Sequence, residues 1–147
     1  MAELDPILYE KIKAYCAEGD RLAEAKNYAK AWDQYHEAWK LIPDPKKEWN
    51  TSTWVLAAIA DVCFQGGKYA SAKESLDYAM VCPEGLGNPF LHLRLGQCCF
   101  EEGLLDQAAD ELLRAYMGAG RDIFAQDDAK YFDFLKTRAK PPAPGKW

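Results

Sequence analysis

Residues 91–115 read LHLRLGQCCFEEGLLDQAADELLRA. A histidine, two adjacent cysteines and a run of carboxylates in so short a segment have the look of a metal or redox site. The spacing of the small residues points elsewhere. Gly96 is followed by Gly103, Ala108, Leu112 and Ala115, with 12 residues from Gly96 to Ala108 and 7 from Ala108 to Ala115. The same gaps of 12 and 7 separate Gly19, Ala31 and Ala38 near the start of the chain, and Ala60, Ala72 and Ala79 in its middle. Three copies of one spacing mark an internal repeat. Small side chains at matching places on two successive helices let the helices approach closely, while larger ones fill the space between them.

The rest of the chain reads as helix. Leu8, Ile12, Tyr15, Gly19 and Leu22 follow one another in steps of four and three, the period of an apolar helix face. Asp5 before Pro6 is a helix start: a side-chain acceptor at the cap, then a residue that needs no N–H bond in the first turn. GG at 66–67, PEGLGNP at 83–89 and GAG at 118–120 break the helices. Strand patterning is nearly absent, so the fold class is all-α. After Gly120 a seventh helix is predicted at about 125–139, with Asp127 or Asp128 near its cap. Phe124, Phe132 and Leu135 are its candidates for covering the last repeat, because a stack of repeats needs a terminal cover. The tail at 140–147, with PPAPGKW at its end, is not helical; Trp147 either docks back or hangs loose.

This pattern resembles the tetratricopeptide repeat. Copy one (about 12–45) carries it at Tyr15, Gly19, Leu22, Ala31, Tyr35, Ala38 and Pro43. Copy two (about 53–86) does so at Leu56, Ile59, Ala60, Cys63, Ala72, Leu76 and Ala79, with Pro83 one place early. Copy three (about 89–122) matches at Leu95, Gly96, Cys99, Ala108, Leu112 and Ala115. Glu18, His92 and Gly120 depart from the pattern. The resemblance implies a single domain over 1–147: a right-handed superhelical stack of three helix hairpins closed by a capping helix. Copies one and two are separated by seven surplus residues within PKKEWNTS. Seven residues are about two helical turns, and would lengthen a helix without rotating its apolar face. Trp49 and Trp54 would then extend that face.

With 147 residues, 49% apolar and 28% charged, the composition is that of an ordinary globular domain. The net charge of −5 argues against nonspecific attraction to nucleic acid or anionic membrane. Residues 51–122 hold five basic against ten acidic side chains, which favours a basic partner there. No apolar run has membrane-spanning length, and the N-terminus lacks a signal-peptide pattern. The five cysteines are an odd set without a C-x-x-C pair, so reduced thiols in a cytoplasm are expected. Cys63 and Cys99 share one repeat position and read as small core hydrophobes. Cys98 sits about 100° around the helix from Cys99, so the two do not jointly grip a metal. His36 and His92 lie in different copies without a cysteine or carboxylate at ligand spacing, and His92 reads as a packed or half-buried helix residue. Nucleophile elbow, phosphate loop, dinucleotide fingerprint and zinc-protease motif are all missing. No catalysis, cofactor or metal is expected.

Function is expected on a surface. In stacked helix pairs the first helices line a concave groove. The register places Cys16, Asp20 and Glu24 there from copy one, Trp54, Asp61 and Phe64 from copy two, and Phe90, Arg94, Gln97 and Phe100 from copy three. The aromatics are candidate anchors for a partner protein, although Phe64 and Phe100 are equally suited to packing between repeats. Some domains of this kind clamp a chaperone's C-terminal carboxylate with Asn and Lys. Here Asp20, Asp61 and Gln97 occupy the Asn positions, and Cys16, Ala57 and Leu93 the Lys positions, so that clamp is excluded. Residues 88–124 with YFDFLK and the tail ending in Trp resemble small bacterial tetratricopeptide proteins that accompany secreted toxins as suspected immunity partners. That resemblance implies a cytoplasmic inhibitor of a basic toxin domain. A secretion chaperone and a self-associating scaffold, in which Trp54, Phe90 and Trp147 bury against a second copy as a homodimer, are the alternatives.

Overall fold

The computed structural model describes residues 4–142 and 145–147, and the regular elements among them are all helical. They are α1 (Pro6–Glu24), α2 (Tyr28–Leu41), α3 (Asn50–Gln65), α4 (Tyr69–Ala79), α5 (Pro89–Glu101), α6 (Leu105–Ala119) and α7 (Ala129–Arg138). Short 3-10 turns occupy Lys46–Glu48 and Arg121–Phe124. The chain forms two compact units, Met1–Leu86 and Gly87–Trp147. The first holds α1 to α4 and the second α5 to α7. The expected all-α class is what is found.

Helix α1 begins as its sequence dictates, with the Asp5 carboxylate accepting from the Leu8 amide at 3.1 Å and Pro6 in the first turn. The turns from α1 to α2, α3 to α4 and α5 to α6 are built alike. In each, a residue with positive φ follows the helix: Lys26 at 62°, Gly67 at 76° and Gly103 at 77°. In each, the next amide donates back to a carbonyl five residues earlier: Asn27 to Leu22, Lys68 to Cys63 and Leu104 to Cys99. This double-bonded cap satisfies the last helical carbonyls and reverses the chain. The three positions correspond under the repeat, and only the first is not glycine.

The small residues lie where the paired helices touch. Ala31, Ala38, Ala60, Ala72, Ala79, Ala108 and Ala115 are all fully buried. A Cβ placed on Gly19 would stand 2.5 Å from the Tyr35 ring, and one on Gly96 would stand 2.8 Å from the Leu112 side chain. Cys63, Cys98 and Cys99 are buried as well.

Two expectations need correction. The seven surplus residues do not add two turns to a helix. They form the 3-10 turn and the entry to α3, tied down by side chains. Lys46 Nζ donates to the Trp39 carbonyl at 2.9 Å and also to that of Ile42, so it caps the end of α2. Ser52 Oγ donates to the Lys46 carbonyl at 2.5 Å, and Trp49 Nε1 to that of Pro43 at 2.9 Å. Pro43 and Pro45 interrupt a helical path, and hydrogen bonds from half-buried Lys46 and Trp49 and buried Ser52 then fix the loop. The seventh helix begins four residues later than expected, at Ala129, because Asp128 is its cap and accepts from Lys130 N at 3.0 Å. Phe124 is buried in the preceding 3-10 turn, Leu135 is fully buried, and Phe132 stacks on Phe124 with ring centres 4.9 Å apart. The Trp147 ring lies edge-on to Tyr116 at 5.1 Å and to Phe132 at 5.7 Å, so the end of the tail docks; Ala143 and Pro144, within PPAPGKW, lie outside the described residues.

Candidate functional site

In the first unit, Tyr9, Cys16 and Asp20 recur at helical spacing on α1, and Trp54 and Asp61 do so on α3. Trp54 remains 37% exposed, with Tyr9 edge-on to it at 6.4 Å. Deeper in, buried Tyr35 from α2 donates its hydroxyl to Asp20 Oδ1 at 2.5 Å. Burial first, then that hydrogen bond and the charges of Asp20, Cys16 and Asp61, hold the Tyr35 phenol well above its ordinary pKa. Burial, with Asp20 adding to it, also pushes the Cys16 thiol up to about 11. Cys16 is thus a protonated, inert wall of an acidic patch. Asp20 and Glu24 are exposed, while Asp61 and Phe64 are half-buried, with Phe64 edge-on to Tyr69 at 5.5 Å. Such a face offers aromatic area and negative charge together, which suits a cationic or aromatic side chain of a partner.

In the second unit the expected residues are largely drawn inward. Gln97 is fully buried, its carbonyl accepting from Arg94 at 2.8 Å and its amide nitrogen buried without a hydrogen bond. Arg94 also reaches Asp127 at 3.7 Å. Phe100 packs edge-on to Tyr131 at 5.5 Å and Phe134 at 5.1 Å, both on α7. Gln97 therefore does not face a partner, because the capping helix and the turn before it lie against this part of α5. Of the four positions expected from the third copy, Phe90 stays widely exposed, at 67%.

His92 is tied into the same unit. It is buried, its Nδ1 lies 2.5 Å from Glu111 on α6, and its Nε2 accepts from the Gly87 amide at 3.0 Å. An Nε2 that accepts an N–H carries no proton, so the ring is the Nδ1–H tautomer donating to the Glu111 carboxylate. The carboxylate partner comes from the neighbouring helix, 19 residues away, where spacing along one helix does not register it. Among the described residues, no three His, Cys, Asp or Glu side chains are grouped to hold a metal.

A second concavity in the first unit lies on the other helices. α2 and α4 both pack on α3 and meet each other through Trp39 and Tyr78, edge-on at 5.4 Å. Between them is a groove of about 1030 Å³, floored by Leu56, Ile59 and Val62 of α3. Trp32, stacked on His36 at 4.6 Å, stands on one wall and is 37% exposed. This site lies on the second helix of each pair, away from the first-helix positions expected to line a groove; Trp32, His36 and Trp39, in steps of four and three, are its signal in the sequence.

No family model matches the sequence, and no curated protein matches it significantly. Solved structures do. The type III secretion chaperone SycD of Yersinia enterocolitica, in complex with a peptide of the translocator YopD, matches with a TM-score of 0.70 at 15% identity, over 90% of this chain and 95% of that one. The first TPR of Spaghetti (RPAP3), bound to the HSP90 peptide SRMEEVD, gives 0.68 at 16% identity, over 87% and 90%. The TPR domain of Sgt2 from Aspergillus fumigatus gives 0.66 at 21% identity, over 90% and 85%. The fold of this chain is that of tetratricopeptide-repeat domains.

Proposed function

We propose that this chain is a non-catalytic protein-binding module, and that it serves as an inhibitor of the immunity type for a basic toxin domain. What carries the reading is the first-unit face: exposed Trp54 of α3 braced by Tyr9 of α1, on the same two helices as Asp20 and Asp61, with Asp20 held by Tyr35 of α2. An aromatic anchor beside carboxylates fits a partner that presents lysine or arginine next to apolar surface. Two of the matched structures hold peptides, which supports the coarser statement that this fold serves recognition.

The test is co-expression with the product of the neighbouring gene. A folded toxin domain should co-purify tightly, and growth should be rescued. Combining Trp54→Ala with Asp61→Lys should weaken the complex at least about tenfold while far-UV circular dichroism stays unchanged. Unaltered affinity in that variant would move the interface off this face. The likeness to SycD favours a second reading, a secretion chaperone. It is distinguished by a partner that aggregates when expressed alone and stays soluble with this chain.

A further inference from the structure

The groove between α2 and α4 has features that the reading above does not use. Its floor is apolar, and its rims carry two large aromatics open to solvent, Trp32 at 37% and Tyr78 at 40%. Large aromatics standing on both walls of a concave site are the side chains that most often anchor a docked partner. The groove is also patterned in charge. Lys26 and Lys68 stand at the end where α2 and α4 begin, and α4 starts without a side-chain cap on its first amides. Asp33 and Glu74, which also line the groove, follow roughly two turns along their own helices. One end is positive, and the middle is negative.

We propose that this groove docks an amphipathic helix of a partner protein, laid antiparallel to α2 and α4. Both walls present residues at helical steps, which form ridges that a third helix meshes with through its own i, i+3, i+4 and i+7 side chains. The 11 residues of α4 give a wall about 16 Å long, room for three turns of partner. Antiparallel docking brings the negative end of the partner's dipole to the positive starts of α2 and α4. Acidic side chains in its last turn then meet Lys26 and Lys68, and a basic residue about two turns earlier meets Asp33 and Glu74.

The experiment is selection of displayed helical peptides of about 12–16 residues on the intact chain. Enriched sequences should share an apolar stripe, acids in the last turn and a base near the middle. Trp32→Ala should reduce their affinity at least about tenfold with unchanged helicity. Lys26→Glu with Lys68→Glu should do the same, and a selected peptide whose terminal acids are changed to lysine should regain binding to that variant. That rescue separates lost recognition from lost folding. Trp54→Ala with Asp61→Lys should leave these peptides bound, so this test succeeds or fails independently of the inhibitor reading. The proposal is overturned if no helical peptide is enriched, if binding ignores Trp32 and the two lysines, or if the chain is a dimer that Trp32→Ala dissociates.

Discussion

Lys26 occupies a place that the other two copies reserve for glycine. Its φ of 62° matches Gly67 at 76° and Gly103 at 77°, and all three close the same helix cap. A side chain with a Cβ pays about 1–2 kcal/mol for that left-handed conformation. Glycine avoids this, but its freer unfolded chain offsets about 0.4–1 kcal/mol. Lys26→Gly should therefore stabilise the first hairpin by about 0.5–1 kcal/mol, seen as a denaturation midpoint shifted upward. A lowered midpoint would mean that Lys26 makes a stabilising contact which outweighs its backbone strain. Gly67 and Gly103 stand seven residues after Ala60 and Gly96, and the matching place after Gly19 is Lys26; that a lysine keeps the left-handed conformation there is seen only in the structure, because a lysine in sequence does not signal a positive φ.

At the scale of the element, α7 is held by charged contacts as well as by its apolar face. Glu101 at the end of α5 accepts from Tyr131 Oη at 2.7 Å and pairs with Lys130 Nζ at 2.6 Å. Burial alone would raise the Glu101 pKa, yet the hydrogen bonds from Lys130 and Tyr131 outweigh it and hold the carboxyl below the ordinary glutamate value. A carboxylate with a depressed folded pKa stabilises above its unfolded value, about 4.3, and that contribution is lost as pH falls through the folded one. Acid titration followed by Trp147 fluorescence should show the capping end of the second unit weakening in that window. Glu101→Gln should lower neutral-pH stability and flatten the acid limb. An acid limb identical to the parent's would assign the loss to other carboxylates. The helix and its cap were both legible, Asp128 being one of the two aspartates expected there, whereas Phe124 and Ala125 belong to the 3-10 turn and its end rather than to the first turn of the helix.

Across the whole molecule, the five cysteines sample both units: Cys16, Cys63 and Cys82 in the first, Cys98 and Cys99 in the second, all buried and none in a disulfide. Burial raises the Cys16, Cys63 and Cys82 pKa values, and only thiolates react readily. A thiol reagent in mildly alkaline buffer should find less than one fast-reacting group in the folded chain and all five in denaturant. Rapid labelling of even one without denaturant would show a unit that opens easily. The all-α class, the helix pairs and the packed role of the paired cysteines were determined by the sequence alone, because small residues repeated at fixed steps leave close helix packing as the way to bury them. The tertiary structure alone decided which side chains of those faces stay exposed. Arg94, Gln97 and Phe100 carry the same helical spacing as exposed positions, yet α7 and its leading turn take them inward. Trp32 and Tyr78 are ordinary second-helix residues until α2 and α4 leave the face of α3 open between them. Periodicity along one helix fixes which side chains share a face; what covers that face depends on elements distant in sequence.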